Sequence, residues 1–182
     1  DSLGLAVTST RQVVEVALDR NWGEVGEQLT GTVPLAGDPL GADERLLVSL
    51  FDHRGRELLR EDLGPRATEA TFSLPIAAWL PMLVRVQATL TKGDQEVASA
   101  YQFARVTKRH RGQINFVIWD CPRGTLAPYG EEALARSGVT CQLTHGTPPL
   151  FVAANDISWI PYTTRILTKK DEDGVMEPAC WN

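Results

Sequence analysis

Gln113-Ile-Asn-Phe-Val-Ile-Trp-Asp120, Pro128-Tyr-Gly-Glu-Glu-Ala-Leu-Ala-Arg-Ser-Gly138 and Val139-Thr-Cys-Gln-Leu-Thr-His145 follow one another in the last third of the chain. An apolar run, a short helix closed by glycine and a second apolar run make a strand, a helix and a strand. Ile114, Phe116 and Ile118 alternate with Asn115, Val117 and Trp119, so both faces of the first strand are largely apolar. That is the expectation for a parallel strand hidden on both sides by crossover helices. The helix carries Pro128 in its first turn and Glu131 and Glu132 near the positive end of its dipole, and Gly138 terminates it. Tyr129, Ala133 and Leu134 share one side, while Glu132 and Arg136 form an i,i+4 pair on the other. The second strand returns by a right-handed crossover. A third apolar run, from Ile157 toward Leu167, extends the pattern, although Pro161 would remove a ladder donor from a central strand.

Upstream of this unit the period changes to two. Leu29, Gly31, Val33 and Leu35 alternate with Thr30 and Thr32, and Val84, Val86, Ala88 and Leu90 alternate with Arg85, Gln87 and Thr89. Each such strand has one buried face and one wet face. Asp52-His-Arg-Gly55 and Lys92-Gly-Asp94 mark hairpin turns, where glycine takes positive φ without steric cost. Short strands broken by turn residues every eight to twelve positions indicate an antiparallel sandwich. The expected fold is mainly β: an immunoglobulin-like antiparallel β-sandwich over residues 1–107, a linker at 108–112, and a partial α/β (βαβ) segment over 113–182.

Composition limits the function classes. The chain has 182 residues, 43% hydrophobic and 23% charged, with a formal net charge of −5. An acidic balance argues against a nucleic-acid surface, which needs a clustered basic face. Lys108-Arg109-His110-Arg111 is the one basic cluster and reads as solvated linker. No apolar run approaches a membrane span and no signal peptide is read, so membrane insertion is not expected. The sequence starts at Asp1 and stops at Trp181-Asn182, and both ends read as cut. Cys121, Cys141 and Cys180 are an odd set without metal-ligand spacing, so neither a disulfide framework nor a metal site is expected.

Candidate site residues fall into two groups. Trp22 and Trp79 both read as loop residues of the sandwich. Each either stacks on a pyranose ring, as exposed aromatic faces do, or plugs an end of the sandwich or packs against a neighbouring domain. The second group follows from the carboxyl ends of parallel strands, where open sites are built. Asp120 after the first strand, His145 after the second, and Thr164 or Arg165 after the third are the substrate-pocket candidates, with loop capping as the competing role for Asp120 and His145. A self-contained enzyme using His145 with Cys121 or Cys141 as nucleophile is a further class, which would require a thiol of lowered pKa.

The sandwich with Leu50-Phe-Asp-His-Arg-Gly-Arg56, then Phe116-Val-Ile-Trp-Asp120, Tyr129-Gly-Glu-Glu-Ala-Leu-Ala-Arg-Ser-Gly-Val139 and Ile160-Pro-Tyr-Thr-Thr-Arg165, resembles the amino-terminal part of bacterial glycoside hydrolases of the β-galactosidase-like (β/α)8 clan. The resemblance implies a sandwich acting as an accessory or domain-packing module followed by the start of a barrel, inactive alone, with carbohydrate reached through a secreted or periplasmic parent protein. It carries over no catalytic residue and implies no cofactor, because the two carboxylates such enzymes use lie on later strands. An incomplete parallel sheet leaves apolar surface uncovered, so the α/β segment is expected either to be held against the sandwich, to self-associate with another copy, or to be poorly ordered. The competing class is an immunoglobulin-like binding or adhesion module of a secreted or cell-envelope protein, with the last third as a docking extension.

Overall fold

The computed structural model describes residues 12–37, 40–64, 69–108, 114–119, 122–144, 149–161, 168–170 and 176–178. The chain divides into two compact units, Asp1–Arg109 and His110–Asn182. The first holds β1 (Gln12–Val13), β2 (Ala17–Leu18), β3 (Trp22–Glu24), β4 (Gln28–Ala36), β5 (Glu44–Phe51), β6 (Glu57–Asp62), β7 (Glu69–Pro75), β8 (Leu83–Lys92) and β9 (Gln95–Thr107). β4 pairs antiparallel with β1, β2 and β7 in one sheet, and the other sheet runs in the order β3-β9-β8-β5-β6. The fold is mainly β and sandwich-like.

Two-residue alternation produces this architecture. On β8, Val84, Val86, Ala88 and Leu90 are buried, whereas Arg85, Gln87 and Thr89 between them stay partly exposed. Leu46, Val48 and Leu50 of β5 lie on the same inner face, and they share one core with Leu29 and Val33 of β4 and Phe72 and Leu74 of β7. Burying a side chain of this kind contributes about 1.5–3 kcal/mol against leaving it exposed, which offsets the entropy of ordering the strands.

The β5–β6 turn is held by a buried carboxylate. Asp52 Oδ1 accepts the Arg54 and Arg56 N–H groups, each at 2.9 Å, and its Oδ2 accepts Arg56 Nε at 2.6 Å. Burial pushes this carboxyl up, but the hydrogen bonds from Arg56 and Arg54 outweigh burial and hold it below the usual aspartate value. Gly55 takes φ +76° beside it, a conformation that other residues adopt only with strain.

One edge departs from the antiparallel expectation. β3 pairs parallel with β9, Trp22 opposite Arg105, so Trp22 opens a strand instead of lying in a loop. The β3 segment is tied down from the other side as well. Gly26 N–H donates to Ile76 O at 2.8 Å, and Ile76 N–H donates to Glu27 O at 2.9 Å.

In the second unit, β10 (Val117–Trp119), a 3-10 turn at Gly124–Leu126, α1 (Ala127–Arg136), β11 (Cys141–Thr144), α2 (Pro149–Ala154) and β12 (Ser158–Pro161) succeed one another. The sheet order is β10-β11-β12, with both pairings parallel. β13 (Thr168–Lys170) and β14 (Met176–Pro178) form a separate antiparallel pair. Gly138 closes α1 with φ +86°. Its N–H donates to Ala135 O at 3.0 Å and the Val139 N–H to Leu134 O at 3.1 Å, which is the paired 5→2 and 6→1 bonding of a Schellman cap. Pro161 is the last residue of β12, opposite Thr144, where a missing donor does little harm.

Three features differ from the sequence expectation. α2 was not foreseen. Sequential strand order with right-handed crossovers places both helices on one face of the sheet, and the two helices touch. On the opposite face Val117, Trp119 and Ile160 are exposed instead of being hidden on both sides, although Cys141 between them is buried. Finally, Glu131 is not at a solvated helix end. It is fully buried, accepts Gln142 Nε2 at 3.2 Å on Oε1, and has no hydrogen-bond partner on Oε2. Burial raises its pKa, and the Gln142 bond offsets this only in part.

Two predictions follow from this packing. A methyl group at Gly31 would lie 2.4 Å from Ala17 O and 2.8 Å from the Phe72 ring, so Gly31→Ala is expected to destabilise the sandwich by about 1–3 kcal/mol in urea unfolding. Unchanged stability would contradict the close β2–β4 approach. A glutamate with a raised folded-state pKa lowers stability as pH rises from the unfolded pKa to the folded one, and the cost stays constant above that. Glu131→Gln is therefore expected to protect the Cys141–Thr144 amides from hydrogen exchange more than wild type at pH 8, with the difference vanishing near pH 4. A difference that grows toward acid would mean a partnered carboxylate.

Candidate functional site

The five-stranded sheet has an outer face whose composition is unusual for a solvated surface. Its register aligns Trp22, Arg105 and Leu83 in one row and Phe103, Arg85 and Phe51 in the next. Tyr101, Gln87 and Ser49 make a third row. The phase is fixed by the inner positions: Ala104 and Val106 on β9 and Val84, Val86 and Ala88 on β8 are buried, so the residues between them must point outward. Trp22, Tyr101 and Phe103 are 44%, 59% and 45% exposed, so this is an open aromatic surface and not a covered one.

Arg85 is the centre of this surface. Its guanidinium carbon lies 4.9 Å from the Phe51 ring centroid and 5.7 Å from that of Tyr101, and Tyr101 meets Phe103 edge to face at 5.7 Å. Ring quadrupoles attract the cation. The Nε of Arg85 is buried without a hydrogen-bond partner. Nearby arginines differ from it, since Arg45 donates to Asp62 at 2.9 Å and Arg60 to Glu57 at 2.6 Å. Arg85 and Arg105 have no carboxylate partner among the described residues. Gln87, whose Nε2 donates to Thr89 Oγ1 at 3.2 Å, adds an amide carbonyl to the surface. What this face offers chemically is flat apolar area for stacking, interleaved with planar cationic donors.

The residues singled out from the sequence are placed as follows. Trp22 is at the edge of this face, and one side of its indole is occupied by Arg20, 4.8 Å from the ring centroid. Arg20 is itself paired with Glu27 at 3.2 Å. Trp79 is 59% exposed in the turn before β8, and the described ring contacts do not join it to Trp22. Asp120, His145, Thr164 and Arg165 lie outside the described residues, as do Cys121 and Cys180. Cys141 is buried, and burial pushes its thiol above the usual value, the opposite of what a cysteine nucleophile requires. Among the described residues no group of histidine, cysteine and carboxylate side chains is placed to hold a metal ion. No helix among them is long and apolar enough to cross a membrane.

Sequence reasoning missed the Arg85 cluster although a signal for it was present. Tyr101 and Phe103 occupy the same alternation phase as Ser99 and Arg105, so two aromatic residues fall on the wet face of β9. Aromatic side chains in that phase are the sequence mark of a functional sheet face. Phe51, one strand further away across β8, could be added only once the pairing was known.

No family model matches the chain, and no curated protein matches it. Among solved structures, it is similar to an FMN-binding beta-glucuronidase from Facaelibacterium prausnitzii L2-6, at 11% identity and a TM-score of 0.41, covering 84% of this chain and 29% of that one. It is similar to the beta-glucuronidase of Bifidobacterium dentium at 12% identity and a TM-score of 0.42, covering 84% and 30%. A CARDB domain from Pyrococcus furiosus is similar at 14% identity and a TM-score of 0.37, covering 54% and 86%. The chain thus spans under a third of the length of these two glucuronidases. At these identities and TM-scores the likeness decides neither activity nor substrate, which have to be argued from the residues.

Proposed function

We propose that this chain is the non-catalytic amino-terminal portion of a carbohydrate-active glycoside hydrolase, with its sandwich acting as an accessory module that contacts glycan. The observation that carries this reading is the open aromatic face around Arg85. Pyranose rings present flat C–H surfaces that stack on aromatic side chains, while hydroxyl groups take hydrogen bonds from neighbouring polar groups. Tyr101, Phe103 and Trp22 supply the first element, and Gln87 and the arginines supply the second. The parallel β10-β11-β12 sheet is the segment from which a catalytic domain would continue. On that reading Asp120, His145 and Arg165, which follow β10, β11 and β12 in sequence, are the substrate-pocket candidates.

One observation favours a second reading. Arginine with aromatic side chains is also the composition of protein-interface hot spots, and the competing function is a protein-binding sandwich module.

Affinity electrophoresis through gels containing soluble polysaccharides separates the two. A retardation by at least one glycan is expected, and Tyr101→Ala with Phe103→Ala is expected to weaken it about tenfold or more, equivalent to roughly 1.4 kcal/mol. No turnover of aryl glycosides is expected from this chain. Absence of any retardation across β- and α-linked glycans would overturn the carbohydrate reading.

A further inference from the structure

We infer that the outer face of the five-stranded sheet selects acidic glycans, with Arg85 receiving a sugar carboxylate and Arg105 adding a second positive charge beside it. This rests on the proposal that the face binds glycan and names the class of sugar. The argument starts from charge. Most cations on this sheet are already neutralised: Arg45 by Asp62, Arg60 by Glu57, and Lys92 by Asp43 at 3.7 Å. Arg85 and Arg105, which sit among the aromatic rings, have no carboxylate within reach among the described residues. Among the described cations of this sheet, the two left without an ion pair are therefore the two beside the stacking surface.

Geometry then narrows the ligand. A guanidinium held over Phe51 and Tyr101 has lost most of its rotational freedom before any ligand arrives. A planar, fixed fork of N–H donors matches the two coplanar oxygens of a carboxylate, which it binds through parallel hydrogen bonds. Phe103, in register with Arg85, and Tyr101 place ring surface beside that fork. A hexuronic acid has both parts, a pyranose face and a carboxylate on the adjoining carbon, so a single residue of the polymer engages both.

The chain as a whole has a net charge of −5, so a polyanion meets general repulsion and not a general attraction. Binding of an acidic polymer would then report a local site. Polyanion binding by a basic protein would carry no such meaning.

The test is affinity electrophoresis of the full chain with polygalacturonate, with its methyl ester, and with dextran sulfate. Polygalacturonate is expected to retard the protein, the methyl ester about tenfold less, and added salt is expected to weaken the binding. Arg85→Gln is expected to cost about tenfold or more and Arg105→Gln about threefold, with unchanged melting showing that the variants fold. Arg85→Lys keeps the charge but lacks the planar fork. It is expected to fall between wild type and Arg85→Gln, and it serves in place of Arg85→Gln should that variant fail to fold. Equal binding of acid and ester, or wild-type affinity in folded Arg85→Gln, would overturn the acidic preference while leaving glycan binding intact. Equal affinity for dextran sulfate would overturn carboxylate selection in the same way. No binding of any acidic or neutral glycan would overturn both this inference and the proposal beneath it.

Discussion

Val84, Val86, Ala88 and Leu90 meet the inner residues of β4, β5 and β7 in one apolar core, and this single contact fixes what every other residue of the sandwich can do. A strand side chain has only two directions available, so committing one set inward commits the alternate set outward. A slip of one residue in β8 or β9 would bury Arg85, Tyr101 and Phe103 and expose the valines, a change the core does not tolerate. The aromatic face is thus held in phase by residues that never touch it. Its rigidity has the same source, because β8 is hydrogen-bonded on both sides, to β5 and to β9.

Local signals in the sequence were enough for the elements whose causes are local. The alternation of β4 and β8, the Asp52–Gly55 turn and the cap at Gly138 each depend on residues within a few positions of one another, and each is found where those residues stand. Features with distant causes were not legible. β3 exists because Trp22-Gly-Glu24 pairs with Arg105-Val-Thr107, and the parallel direction of that pairing leaves no mark in either segment. Glu131 looked like an ordinary helix-dipole residue, since a charged side chain in the first half of a helix is usually solvated. Only the position of Gln142, on the next strand, reveals that the carboxyl faces inward. The Arg85 cluster is a similar case, because Phe51, Arg85 and Tyr101 come from three strands.

The pocket candidates raise a different matter. Asp120 and His145 were chosen by the rule that parallel strands present functional groups at their carboxyl ends. The parallel order β10-β11-β12 supplies the framework on which that rule operates, and Trp119 and Leu143 stand side by side just before those two positions. The framework makes the rule applicable, but it says nothing of the side chains beyond it. Their role therefore remains part of the proposal, whereas the burial of Cys141 bears directly on the cysteine-nucleophile alternative and weighs against it.

The outer face of the sandwich sheet and the face of the parallel sheet opposite its helices both expose apolar side chains, and they are physically different. On the sandwich, rings alternate with arginine and glutamine, so water can wet the face. On the βαβ unit, Val117, Trp119 and Ile160 share the face opposite the helices without a charged side chain among them, Trp119 and Ile160 in register with Leu143 and Val117 in register with Cys141. Exposure of apolar area costs about 25 cal/mol per Å². A surface of that kind gains most when it is covered permanently, by further chain or by another copy, whereas the arginine-bearing face loses hydration of its cations unless the covering partner brings anions. The distribution of charge thus separates a sandwich face that carries cations from a face of the parallel sheet whose exposed residues are apolar.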